Sequence, residues 1–207
     1  MHPILVLGLL AGMRHALEAD HLAAVASLAT SGRSARSVML QGAAWGLGHT
    51  ATLLLVGGVC LLLGAAIPER TSAALELGVG VMLVLLGAQV LWRRWRPRHT
   101  PHVHVVALPR RALVVGAVHG LAGSAALLVL TLAAARSPWT GLAYIGLFGA
   151  GSIVGMVALA AALAVPLRLS ARLPARLFHG VELLLGGATI VVGARLVHHT
   201  ATLLGQS

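Results

Sequence analysis

Apolar residues run along almost the whole chain, and the polar interruptions between them are short enough to be turns. Six runs, at about 3–29, 37–65, 72–92, 112–135, 139–166 and 177–199, each reach the roughly 20 residues a helix needs to cross a bilayer core. Helices satisfy their own backbone in lipid, so the pattern predicts an all-α polytopic membrane protein with six transmembrane helices. Residues 1–207 form a single membrane domain on this reading, with almost nothing left for a soluble one. The first run has no basic leader and continues into charged residues, so it is expected to be a retained helix and not a signal peptide.

The most informative interruption is RHALEADHLAAV, residues 14–25, which sets Arg14, His15, Glu18, Asp20 and His21 inside an apolar run. Charges at that depth are costly and usually mark an ion path. Two imidazoles beside two carboxylates point to a divalent metal. At 100° per residue, His15, Glu18 and His21 step round a helix by about 60° each, whereas Asp20 points about 140° from His15. One straight helix cannot aim all four at one ion. Either the helix is distorted here, or Asp20 holds an imidazole through its second nitrogen. Arg14 precedes Glu18 by one turn and is an alternative partner for it. His49 and His119 fall near the middle of the second and fourth runs, at about the depth of His15. The candidate metal ligands are therefore His15, Glu18, Asp20, His21, His49 and His119.

Imidazole donors favour zinc, copper, iron or nickel over magnesium or calcium, and the absence of thiolates disfavours monovalent copper. Glu76 and Glu182, with His179 one turn from Glu182, are candidate gates or relays near opposite faces of the membrane. His2 at the outer mouth, and His99, His102 and His104 in a loop, are candidates for metal entry or buffering. No prosthetic group is expected, and a metal ion would be cargo.

The two halves of the chain resemble each other. GMRHALEA (12–19) matches GAVHGLAG (116–123), placing His15 on His119; GLGHT (46–50) falls on GAGSI (149–153); Glu76, Gly80 and Gly87 fall on Glu182, Gly186 and Gly193. The separations are 104, 103 and 106 residues. With an odd number of spans per half, the second half must be inverted, as in many secondary transporters. The expected organisation is a 3+3 inverted repeat: residues 1–93, a basic His-containing cytoplasmic loop at 94–111, and residues 112–207.

Composition narrows the alternatives. The chain is 58% hydrophobic and 10% charged, with a mean hydropathy of +0.92. Its fifteen basic residues are all Arg, which excludes a Walker-type phosphate loop with its Lys. The net charge of +10 sits beside the spans, where it reports topology and anionic lipid and not nucleic acid. Arginines cluster after the first, third and fifth runs, so those connections are expected in the cytoplasm and both termini outside. Cys60 is the single cysteine, which rules out an intrachain disulfide and paired-thiol redox chemistry. Small residues along the spans suit close helix packing, and a homodimer through such faces is a candidate assembly.

RHALEADHLAAV resembles the H-x-x-x-x-D-H signature of the NiCoT family of nickel/cobalt transporters, and LGHTATLL (47–54) resembles that family's Gly-His-Ser/Thr motif in the next helix. The resemblance implies a secondary transporter that carries Ni²⁺ or Co²⁺ across the cytoplasmic (inner) membrane, with His15, Asp20, His21 and His49 in metal recognition. It implies uptake for nickel or cobalt enzymes, and so a place in a nickel-enzyme maturation pathway. The later NiCoT motifs have no counterpart in VHGLAGSAAL (118–127) or GSIVGM (151–156), and Glu18 stands where the family has Asp. Six spans and these departures are similar to a shorter, UreH-like branch. Alternatives are a nickel/cobalt efflux protein, a non-transporting accessory membrane protein and, remotely, a membrane acyltransferase, because His15 and Asp20 also satisfy an H-x-x-x-x-D pattern. No enzymatic activity is expected. Uptake is expected to fall as pH drops, because metal ligands must be deprotonated.

Overall fold

The computed structural model describes residues 3–30, 34–93, 109–134, 137–170 and 175–206. Seven helices occupy them: α1 (Pro3–His15), α2 (Ala19–Ala29), α3 (Ala35–Leu63), α4 (Glu69–Trp92), α5 (Arg110–Ala134), α6 (Pro138–Ser170) and α7 (Ala175–Gln206). Among the described residues, four stretches are long and apolar enough to cross a membrane: Ala35–Leu63, Glu69–Trp92, Pro138–Val165 and His179–Gly205.

The helix ends follow local chemistry. Ser34 accepts a hydrogen bond from the Ser37 amide at 3.1 Å and caps α3. At its other end Gly64, at φ 62°, takes the left-handed conformation that closes a helix. The Ala65 and Gly64 amides then reach back to the Cys60 and Leu61 carbonyls at 2.9 and 3.3 Å. Pro138 opens α6, where its missing N–H costs no helical bond.

The first run is not one helix, contrary to the single span expected over 3–29. It splits into α1 and α2 at Ala16–Glu18. The Leu17 and Glu18 amides tighten onto the Arg14 and His15 carbonyls at 2.9 and 3.0 Å, and Glu18 turns extended, at φ −65° and ψ 152°, before α2 begins. Non-helical backbone at membrane depth is tolerated only against protein or a polar cavity. The break is surrounded by a group of imidazoles.

The largest helix interfaces are α4 with α7, α3 with α5, α3 with α6, and α1 with α6. Glycines permit the closest approaches. A β-carbon on Gly12 would strike the Phe148 carbonyl, and one on Gly116 the Trp45 carbonyl; Gly48 and Gly151 meet the Leu113 and Leu9 carbonyls in the same way. Gly80 lies against Gly193, and Gly87 against Gly186, so α4 and α7 run antiparallel. Two apolar clusters flank the centre, one containing Trp45, Leu83 and Met156, the other Leu53, Ile145 and Phe148.

Candidate metal centre

Four elements deliver imidazoles to the space between those clusters. His15 is the last residue of α1, His21 lies in the first turn of α2, and His49 and His119 sit within α3 and α5. Their rings crowd: His15 to His21 is 4.3 Å between centroids, His21 to His119 4.2 Å, His15 to His49 and His21 to His49 both 5.4 Å, and His49 to His119 6.1 Å. His21 and His49 are fully buried and His119 is 2% exposed. Trp45 packs beside His21 and His119, while Phe148 packs beside His15.

The break between α1 and α2 makes this grouping possible. It frees Asp20 from the straight-helix geometry, and the Asp20 carboxylate bridges two rings, with Oδ1 3.0 Å from His21 Nδ1 and Oδ2 2.9 Å from His119 Nε2. Oδ1 also accepts from the His21 amide at 2.9 Å, an acidic side chain at the N-terminal end of a helix, where the dipole favours it. Glu18 Oε2 lies 3.1 Å from His15 Nδ1. The Glu18 carboxylate therefore goes to His15 and not to Arg14, the alternative its spacing allowed, because the chain turns extended at that residue.

These two carboxylates decide which ring nitrogens remain. An imidazole that donates from one nitrogen keeps its lone pair on the other. His21 Nε2 and His119 Nδ1 are buried with no hydrogen-bond partner, and His49 has none at either nitrogen. A buried polar atom left unsatisfied costs about 1–3 kcal/mol. Ligand atoms of His15, His21 and His49 all lie within 4.8 Å of one another, and so do those of Asp20, His21 and His119. A cation fits that donor set, since it needs lone pairs and supplies none.

The structure thus gathers His15, Glu18, Asp20, His21, His49 and His119, with Glu18 behind His15 and 57% exposed at its side chain. Glu76 and Glu182 do not join them. Glu76 lines a separate cleft of about 680 Å³ with Glu69, Arg70 and Leu203. The antiparallel pairing of α4 and α7 puts Glu182 toward the other end of that pair, with His179 one turn away on α7. His2, His99, His102 and His104 lie outside the described residues.

Sequence reasoning missed three contributors. Trp45 is fully buried against the rings, and its indole N–H has no partner. Ser27 and Thr189, whose hydroxyls lie 2.8 Å apart, join α2 to α7, and the Thr189 hydroxyl also lies 3.2 Å from the Ala23 carbonyl. The available signal for the hydroxyls was that Ser27 and Thr189 are the only Ser or Thr in the runs at 3–29 and 177–199.

No protein-family model and no solved structure matches the chain. It is 36% identical over 181 residues to the urease accessory protein UreH of Bacillus sp. (strain TB-90), covering 82% of this chain and 79% of that protein. It is also 30% identical over 169 residues to the chloroplast protein FOR GROWTH AND FERTILITY 1 of Arabidopsis thaliana, covering 72% of this chain but 46% of the plant protein. The extent and identity of the first match place the chain in a family: it belongs to that of the urease accessory protein UreH.

Proposed function

We propose that this protein is a secondary transporter that takes up Ni²⁺, and Co²⁺ by the same chemistry, across the cytoplasmic membrane. The observation that carries the reading is His49: fully buried, without a partner at either ring nitrogen, and with a ligand atom within 4.8 Å of those of His15 and His21. Imidazole-rich sites suit nickel, cobalt and zinc. The relative's name as a urease accessory protein, together with the resemblance to nickel/cobalt transporters of the NiCoT family, favours nickel among them.

The transporter reading draws on the helix arrangement. We take α1–α2 and α5 as crossings beside α3, α4, α6 and α7, making six in a 3+3 inverted repeat with both termini outside. The close contacts support this pairing. Gly12 meets Phe148, and their mates Gly116 and Trp45, 104 and 103 residues away, meet each other; Gly80 meets Gly193, as Gly186 meets Gly87. A two-fold relation in the membrane plane produces such exchanges. The imidazoles then sit where the halves meet, the usual place for a substrate in these folds. An inside-negative potential of 100 mV supplies about 2.3 kcal/mol per charge, so a dication can enter without nucleotide.

An acyltransferase would need His15 paired with Asp20. Here Glu18 takes His15, and Asp20 takes His21 and His119, which favours cargo binding over acyl transfer. The test is radiolabelled Ni²⁺ flux into proteoliposomes under an imposed inside-negative potential, with His49→Ala beside the wild type. Potential-driven uptake lost in the variant is the expected result. Saturable binding without flux would overturn transport and leave an accessory role, and outward-directed flux would reverse the direction.

A further inference from the structure

We infer that the imidazole cluster holds its cargo at two adjoining stations that share His21 and are occupied in alternation, an inference that rests on reading the cluster as a cation site. The first station is His15, His21 and His49; the second is Asp20, His21 and His119; within each, the ligand atoms lie within 4.8 Å of one another. His21 is the hinge between them, with the His15 ring 4.3 Å away and the His119 ring 4.2 Å away.

A neutral imidazole has one lone pair, so His21 serves one station at a time. With its Nδ1–H donated to Asp20 Oδ1 at 3.0 Å, its lone pair is on Nε2, buried and without a partner, and the first station is armed. Asp20 then orients two rings and binds no ion. At the second station the ion takes the place of the hydrogens that link Asp20 to His21 and His119, and Asp20 becomes a ligand. The His21 proton moves to Nε2 and the His119 proton to Nδ1, so each ring exchanges tautomers with no net gain or loss of protons. The vacated His21 Nε2 now carries hydrogen, and the first station has lost a ligand.

The placement of the stations gives the exchange a use. The first is built wholly from α1, α2 and α3, whereas the second adds α5. Passing the ion across His21 moves it from a site built wholly in the first half of the chain to one at the seam of the halves, where Asp20 and His21 come from the first and His119 from the second. His15 and His119, 104 residues apart, stand on either side of that transfer.

The test is binding of Co²⁺ and Ni²⁺ to the full chain in detergent, read as stoichiometry and as the nitrogen-to-oxygen ligand ratio from X-ray absorption. Wild type is expected to bind one ion per chain. His15→Ala/His49→Ala is expected to keep one ion, 10- to 100-fold more weakly, with fewer imidazoles and a carboxylate oxygen; Asp20→Asn/His119→Ala is expected to keep one in an imidazole-rich site. His21→Ala should weaken binding more than either. If a double variant is not monodisperse, His49→Ala and His119→Ala singly carry the same contrast in ligand ratio. Loss of all binding in the His15/His49 variants, with mere weakening in the Asp20/His119 variants, would leave a single station and overturn the inference. So would two ions bound at once to wild type. Wild type that binds no ion would instead overturn the cation-site reading itself.

Discussion

The Asp20 carboxylate lies 2.9 Å from His119 Nε2, across 99 residues of chain, while its other oxygen holds His21 Nδ1 at 3.0 Å. One side chain therefore sets the orientation of two rings on two different helices. Groups that fix a ligand imidazole through its second nitrogen typically contribute 10- to 100-fold in metal affinity. Asp20→Asn keeps the shape but removes the charge and one acceptor oxygen. Its Ni²⁺ affinity, measured by titration calorimetry in detergent, is expected to fall by at least about tenfold; an unchanged affinity would remove Asp20 from the site.

His49 sets stability against binding. Both of its ring nitrogens are buried and unsatisfied, at a cost of about 1–3 kcal/mol each. His49→Leu is expected to raise the melting temperature of the metal-free protein and to shrink its further rise on adding Ni²⁺, leaving the smaller rise that the Asp20, His21 and His119 station supports. Wild type should show the reverse, gaining about 2.7 kcal/mol when the ion is at 100 times its dissociation constant. A metal-free variant less stable than wild type would show that the imidazole has a partner of its own.

Much of this candidate site is legible in the chain because the metal binding proposed for it needs particular side chains. His15, Asp20, His21, His49 and His119 stand out as polar residues in apolar runs, and helix α3 begins and ends within two residues of its predicted 37–65 limits. The break at Ala16–Glu18 is legible as one of two alternatives, since one straight helix cannot aim all four polar residues at one ion, but its place is not, because Leu17 and Ala19 continue the apolar pattern and no Pro or Gly marks the turn. What accompanies the break is tertiary: beyond it Asp20 reaches His119 on α5 at 2.9 Å. Glu18 is a candidate ligand by spacing, and the extended backbone at that residue turns its carboxylate toward His15 Nδ1. Glu76 and Glu182 show the converse. They match each other along the sequence, and the antiparallel α4–α7 pairing holds them toward opposite ends.

Helix approach depends on particular glycines and not on glycine content. A β-carbon at Gly116 would meet the Trp45 carbonyl and indole, whereas at Gly78 and Gly187 it would meet nothing within 4 Å. Gly116→Val is expected to separate α3 from α5, with loss of monodisperse protein on size exclusion. Gly78→Ala and Gly187→Ala should be neutral or slightly stabilising, since Ala favours a helix over Gly by up to about 1 kcal/mol. Equal tolerance at Gly78 and Gly116 would contradict the packing described.

The Ser27–Thr189 contact tests whether α2 is held independently of the metal ligands. The two hydroxyls lie 2.8 Å apart, and the Thr189 hydroxyl also lies 2.8 Å from the Leu185 carbonyl of its own helix. Hydrogen bonds between membrane helices average about 0.6 kcal/mol and reach about 1.7, because a separated hydroxyl finds another carbonyl nearby. A double-mutant cycle of Ser27→Ala and Thr189→Val, read by unfolding in mixed detergent, should give a coupling energy in that range. The metal affinity of Thr189→Val tells more. His21 is set by Asp20 on the same helix, so a small coupling energy with unchanged Ni²⁺ affinity is expected if the carboxylate bridge alone positions the ring. A tenfold loss of affinity would make α7, through Thr189, a second anchor for the short helix that carries both Asp20 and His21.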